Sequence, residues 1–163
     1  MNIGYSIYES PVGYIYIIGD ENGIKKITFE DEEFEEFNKK YDMIKNYPQC
    51  EQTKIQICEY FNGKRKKFDI KVNIEGTDFQ KKVWQSVSNI PYGKIKSYKD
   101  IANMIDNPYS MRAVGQANRR NPIPIIVPCH RVIGKSGKLT GYCGDKTYIK
   151  EFLIDLENKN NKG

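Results

Sequence analysis

Asn121-Pro122-Ile123-Pro124-Ile125-Ile126-Val127-Pro128-Cys129-His130-Arg131-Val132 is the stretch on which the reading turns. Three prolines stiffen an apolar segment that delivers Cys129 to a fixed place. Pro128 removes a backbone donor and restricts φ, so neither an ordinary helix nor a central strand fits here. The chain has four cysteines (Cys50, Cys58, Cys129, Cys143) and a single histidine, His130, directly beside one of them. A thiol needs a base or a positive neighbour to become a nucleophile, and the chain offers one imidazole. No cysteine pair has metal-ligand spacing, and no other His can help, so no metal and no cofactor are expected. Cys50 and Cys58 read as core or boundary residues of a helix.

Upstream of this stretch, Thr77 can cap a helix from Asp78 to about Ser88 that carries Phe79, Val83, Trp84 and Val87 on one face. Ser97 can cap a second helix through Ile105, which Asp106-Asn107-Pro108 ends. Ser110 can cap a third from Met111 to about Arg119. Two short helices around a tight turn, the second ending in Arg119-Arg120, predict a helix-turn-helix. The second of them carries small residues, Ala113, Gly115 and Ala117, where a major-groove reader normally presents long polar side chains. Small residues permit close backbone approach, either to another helix or to a narrow groove in DNA.

The first 75 residues read differently. Ile3 to Tyr8, Tyr14 to Ile18 and Ile24 to Phe29 predict a three-stranded antiparallel meander, with Asp20-Glu21-Asn22-Gly23 as a hairpin turn. Phe34, Phe37 and Tyr41 recur at helical spacing, Thr53 to Phe61 reads as a second helix, and Phe68 to Ile74 as a closing strand. The expectation is an α+β protein of two parts, residues 1–75 and 76–163.

Charge separates the same halves. Residues 1–75 hold 11 basic and 14 acidic side chains, residues 76–163 hold 15 and 7. A basic half points to a polyanion, most simply nucleic acid. The longest apolar run, Tyr14 to Ile18, is far short of the roughly 20 residues of a membrane span. No basic segment precedes an apolar one near Met1, so a cytoplasmic protein without membrane contact is expected.

Pro128-Cys129-His130-Arg131-Val132 after Asn121-Pro122-Ile123-Pro124 resembles the signature of the O6-alkylguanine-DNA alkyltransferases (methylated-DNA–protein-cysteine methyltransferases). Arg112-Ala113-Val114-Gly115, Tyr92-Gly93 with Ser97-Tyr98, Tyr142 with Gly144, and Lys150-Glu151-Phe152-Leu153 with Glu157 are similar to further family segments. The similarity runs from about Phe79 to Glu157. Residues 1–75 share only length and strand-then-helix order. The resemblance implies a ribonuclease H-like N-terminal part and a winged helix-turn-helix alkyltransferase domain. It implies stoichiometric, irreversible transfer of an alkyl group from O6-alkylguanine, and less well O4-alkylthymine, to the protein itself after base flipping.

Roles carry over by position. Cys129 would accept the alkyl group, His130 would take its proton through a water, and Glu157 would fix the imidazole tautomer. Tyr98 would meet a phosphate and assist base rotation and proton transfer. Arg112 would fill the space of the extruded base. Ala113, Gly115, Gln116 and Arg119 would lie along the minor groove of double-stranded DNA, and Asn121 would tie the helices to the active-site segment. Pro124, Val132, Tyr142, Cys143 and Gly144 would line the guanine pocket. A monomer is implied. Pro124 and Gly144 suggest a pocket open enough for benzyl adducts. Cys143 stands where the family more often has a small hydroxyl residue, which raises an oxidative disulfide with Cys129. Two rival readings remain: a lesion binder without chemistry, against which the intact Pro-Cys-His-Arg stands, and a Cys–His hydrolase, which leaves the basic helical hairpin unexplained.

Overall fold

The computed structural model describes residues 2–134 and 146–161 and divides the chain into two compact units, Met1–Glu75 and Gly76–Gly163. In the first unit β1 (Ile3–Ser10) and β2 (Gly13–Asp20) form a hairpin in register from Ile3↔Asp20 to Ser10↔Gly13. β3 (Gly23–Thr28) returns antiparallel to β2 after a tight turn at Glu21-Asn22, with a bulge at Ile18/Gly19. Gly23 has φ 130°, and a Cβ there would come within 2.7 Å of the Lys71 carbonyl oxygen, so the turn requires glycine.

β2 is buried on both faces, because each face has its own helix. Ile7↔Tyr16 and Tyr5↔Ile18 point to the side covered by α1 (Asp31–Tyr41), where Phe34 stacks on Tyr16 at 4.4 Å. Ser6↔Ile17 points to the side covered by α2 (Pro48–Phe61), and the Ser6 hydroxyl donates to Glu51 at 2.7 Å. α2 begins at Pro48, a turn and more before the expected Thr53, because proline suits a helix's first turn and Cys50 is buried against the Gly4 carbonyl.

Two expectations are corrected here. The sheet has four strands, not three: β4 (Ile44–Lys45) adds parallel to β1 in the order β3-β2-β1-β4. Two residues bounded by left-handed Asp42 and Asn46 carry no periodicity to read. Phe68 to Ile74 is not a strand. It makes one bridge, Ile24↔Val72, and elsewhere the side chain of Gln56 takes the Asp69 N–H and carbonyl that a ladder would use. Its alternation reflects one-sided packing, with Phe68 against Tyr60 at 5.6 Å.

The second unit opens with α3 (Asp78–Ser88), closed at its start by a reciprocal capping box between Thr77 and Gln80. Trp84 on its buried face donates from Nε1 to the Ala117 carbonyl at 2.8 Å, which locks α3 to the helix-turn-helix. β5 (Lys96–Ser97) leads into α4 (Tyr98–Met104), capped by Ser97 with Asp100, and α5 (Met111–Arg119) follows. Ser110 does not cap α5 as expected. Its hydroxyl donates backwards to the Asn107 carbonyl at 2.7 Å, stabilising the turn instead. Beyond the proline-rich segment lie a 3-10 turn (Cys129–Arg131), β6 (Val132–Ile133), which pairs parallel with β5, and α6 (Thr147–Asn161).

Candidate active site

The proline-rich segment is held by side-chain amides rather than by a ladder. Asn121 accepts from the Ile123 N–H at 3.0 Å and donates to the Val127 carbonyl at 2.8 Å. Asn118, buried at the end of α5, donates to the Cys129 carbonyl at 3.2 Å. Ile125 inside the loop has φ 76°, a left-handed conformation costly for a β-branched residue, on the order of 1–3 kcal/mol. That strain persists because both ends of the loop are fixed. The consequence is a set position for the Cys129 turn.

Cys129 is 4% exposed and His130 is fully buried. Burial pushes the Cys129 thiol up to about 11, opposed by a hydrogen bond with Asn121, the Lys150 charge and backbone hydrogen bonds at Cys129 and His130. At neutral pH the resting sulfur is therefore a thiol and needs a base.

The candidate base is anchored from α6. His130 Nε2 lies 2.5 Å from Glu157 Oε2. Glu157 also accepts from Arg131 Nε at 2.8 Å, Arg131 Nη2 at 3.0 Å and the Gly93 N–H at 3.1 Å. Burial alone would raise the Glu157 carboxyl, but hydrogen bonds and charge from His130 and Arg131 hold it well below the usual carboxylate range. Burial lowers the His130 imidazole. Glu157 opposes that, and the Arg131 and Lys150 charges add to it. With Nε2–H donated to a carboxylate, Nδ1 carries the lone pair, and it has no hydrogen-bond partner among the described residues.

Two buried cations were not singled out as site residues from the sequence. Arg131 was read only as part of its motif. Lys150 donates to the Val132 carbonyl at 2.6 Å, and burial lowers its ammonium group. In sequence it stands beside Ile149 and Glu151, and a lysine on a helix reads by default as solvent-exposed.

α5 turns Arg112, Gln116 and Arg119 outward at helical spacing, with Ala113 also exposed and Gly115 half-buried. Arg112, Gly115, Gln116 and Arg119 line a cavity of about 860 Å³ together with Tyr98 and Lys99. Tyr109, 98% exposed, and Met111 also border it, an apolar rim beside Arg112 that the sequence did not flag. Ala113 and Gln116 border a smaller cavity of about 320 Å³ on the α3 side. Pro124 and Val132 are buried, and neither borders these cavities. Tyr142, Cys143 and Gly144 lie outside the described residues. Among the described residues no cluster of His, Cys, Asp or Glu could hold a metal ion, and no helix is long and apolar enough to cross a membrane.

Residues 78–159 match the family profile described as "6-O-methylguanine DNA methyltransferase, DNA binding domain", and residues 3–74 match its "ribonuclease-like domain". The chain is 44% identical over 155 residues to a constitutive methylated-DNA–protein-cysteine methyltransferase of Bacillus subtilis, covering 94% of each chain. It is 48% identical over 157 residues to one from Methanosarcina acetivorans, covering 94% of this chain and 97% of that protein. Among solved structures, Mycobacterium tuberculosis O6-methylguanine methyltransferase superposes with a TM-score of 0.88 at 38% identity, over 97% of this chain and 94% of that one. The M. tuberculosis OGT structure in complex with DNA gives a TM-score of 0.85 at 37% identity, over 96% and 94%.

Proposed function

Because the chain belongs to the 6-O-methylguanine DNA methyltransferase family, we propose that it repairs DNA by moving the alkyl group of O6-alkylguanine onto its own Cys129, once and irreversibly. The observation that carries this reading is the buried pair at the turn: a protonated thiol, and beside it the chain's sole imidazole, fixed by Glu157 with its Nδ1 lone pair turned away from the carboxylate.

The chemistry follows from the electrophile. The alkyl carbon on guanine O6 is displaced in line by sulfur, so a C–S bond forms as the C–O bond breaks. His130 takes the thiol proton through a solvent molecule. The guanine anion takes a proton from the Tyr98 phenol. The thioether has no good leaving group, so no second cycle occurs.

The target atom is hidden in the base stack, and flipping it out costs a few kcal/mol. The outward face of α5 supports binding along the minor groove, with Gly115 and Ala113 admitting the DNA backbone, Gln116 and Arg119 beside it, and Arg112 filling the gap. Asn121 supports the thiol directly and through its segment. Pro124 and Val132, with Tyr142, Cys143 and Gly144, would receive the base. The protein would act as a monomer in the cytoplasm.

Intact mass after incubation with a duplex oligonucleotide containing O6-methylguanine tests the reading. The expected result is one methyl gained per chain, none in Cys129→Ala. Repeated turnover, or no gain in the wild type, would refute it.

A further inference from the structure

The Glu157 carboxylate has more partners than a simple His–carboxylate pair requires. Arg131 places Nε on Oε1 and Nη2 on Oε2, so its guanidinium spans both oxygens while His130 uses one of them. The same guanidinium donates through Nη1 to the Ile90 carbonyl at 2.7 Å and lies 5.6 Å from the Tyr92 ring centre. It is thereby held on three sides, by a planar fork that an ammonium could not reproduce.

The charge count matters because the cluster is buried. One carboxylate, Glu157, carries the Arg131 guanidinium, and the Lys150 charge also acts on His130. Protonating His130 would add a third positive charge, and among the described residues hydrogen-bonded to His130 or Arg131 the one carboxylate is Glu157. Other described groups near it are uncharged: Cys129 is a thiol, Tyr92 a neutral phenol, and Asn118 an amide. On α3, the buried side chains are Val83, Trp84, Ser86 and Val87, while Asp78, Lys81 and Lys82 are exposed. An isolated carboxylate would instead favour the imidazolium, which cannot accept a proton.

We propose that Arg131 is a positioning residue for the alkyl transfer: by forking onto both oxygens of Glu157 it fixes the carboxylate on His130 Nε2 and keeps the imidazole neutral, its Nδ1 lone pair available to the thiol proton. This rests on the reading of Cys129 as acceptor and His130 as base. No atoms are exchanged with Arg131, and its charge is the same before and after transfer.

Because the chain has one histidine, imidazole NMR signals report His130 alone. In the wild type the ring should stay neutral, with Nδ1 unprotonated, well below the ordinary midpoint of about 6.5. In Arg131→Gln the midpoint should rise above that of the wild type, because one of the charges that lower it is gone. The acid limb of the methyl-transfer rate on an O6-methylguanine duplex should rise with it, by about one pH unit, equivalent to a roughly tenfold rate loss on the acid side. Arg131→Lys should restore the neutral ring while losing rate several-fold at every pH, because the fork is gone.

The final methyl stoichiometry gives the active fraction, which separates folding from rate. A wild-type midpoint at or above about 6.5 would overturn the proposal. So would folded Arg131→Gln with a wild-type pH profile, or with a rate loss uniform across pH. Should Arg131→Gln fail to fold, the wild-type titration and Arg131→Lys still decide. Absence of methyl transfer by the wild type would instead remove the underlying reading.

Discussion

Glu157 stands at the centre of the buried charge cluster, and its removal isolates two partners at once. In Glu157→Gln the Arg131 guanidinium loses its charge partner and His130 Nε2–H loses its carboxylate. Breaking a buried pair by removing one member costs about 3–5 kcal/mol. Urea unfolding followed by the fluorescence of Trp84, the single tryptophan and a buried residue of the same unit, should show a loss of that size. A loss under about 1 kcal/mol would mean that the cluster is solvated, as surface ion pairs are. At this scale the sequence read Cys129 and His130 from their adjacency alone. Glu157 came only through the family resemblance, since nothing within α6 marks one carboxylate among its charged neighbours as buried.

α5 makes a claim that one methyl group can test. A Cβ built at Gly115 would meet the Tyr98 ring at 3.9 Å, which is ordinary contact, so packing between α4 and α5 does not require glycine. Gly115→Ala should therefore stabilise the protein by about 0.5–1 kcal/mol through helix propensity. If the α5 backbone is the face that meets DNA, the same change should weaken duplex binding several-fold in fluorescence anisotropy. Unchanged affinity would place the groove elsewhere. Arg112, exposed and in no ion pair among the described residues, should give the converse result. Arg112→Ala should leave the urea midpoint in place and slow methyl transfer from duplex DNA by tenfold or more, measured by intact mass against time. The helices of the second unit were legible because capping residues and apolar spacing are local. β4 and the non-strand at Phe68 to Ile74 were not, because pairing depends on which distant backbone is offered.

Across the whole molecule, both ends of the pH range should weaken the fold, for opposite reasons. Burial lowers the His130 imidazole and its hydrogen bonds lower the Glu157 carboxyl, so the unfolded chain binds more protons in acid. Stability from these groups is fully present above the ordinary histidine value of 6.5 and falls as pH drops below it, more steeply below 4.5. In alkali the sign reverses. The Cys129 thiol is raised from 9.0 to about 11 and the Cys50 thiol from 9.0 to about 12, both chiefly by burial, so the unfolded chain releases protons first. Their contribution is complete below pH 9.0 and is lost as pH rises through about 11 to 12. Urea midpoints should therefore decline above pH 9.0, and Cys50→Ala should make that decline shallower. An unaltered slope in the variant would show that Cys50 ionises as freely folded as unfolded.

By itself the sequence marked out the two-part organisation, the helix-turn-helix and the candidate nucleophile with its candidate base, because each is written in neighbouring residues: caps, periodicity, prolines and the Cys129-His130 pair. Only the tertiary structure decided which charges leave water. Lys150, Arg131 and Glu157 are charged residue types that read by default as solvated, and all three are buried in the fold. Burial depends on what packs over a side chain, and the segments that bury these three come from α6, the Cys129 turn and the residues around Ile90 to Gly93. Burial lowers the His130 imidazole, the Glu157 carboxylate opposes that and the Arg131 and Lys150 charges add to it, and no local pattern encodes that balance.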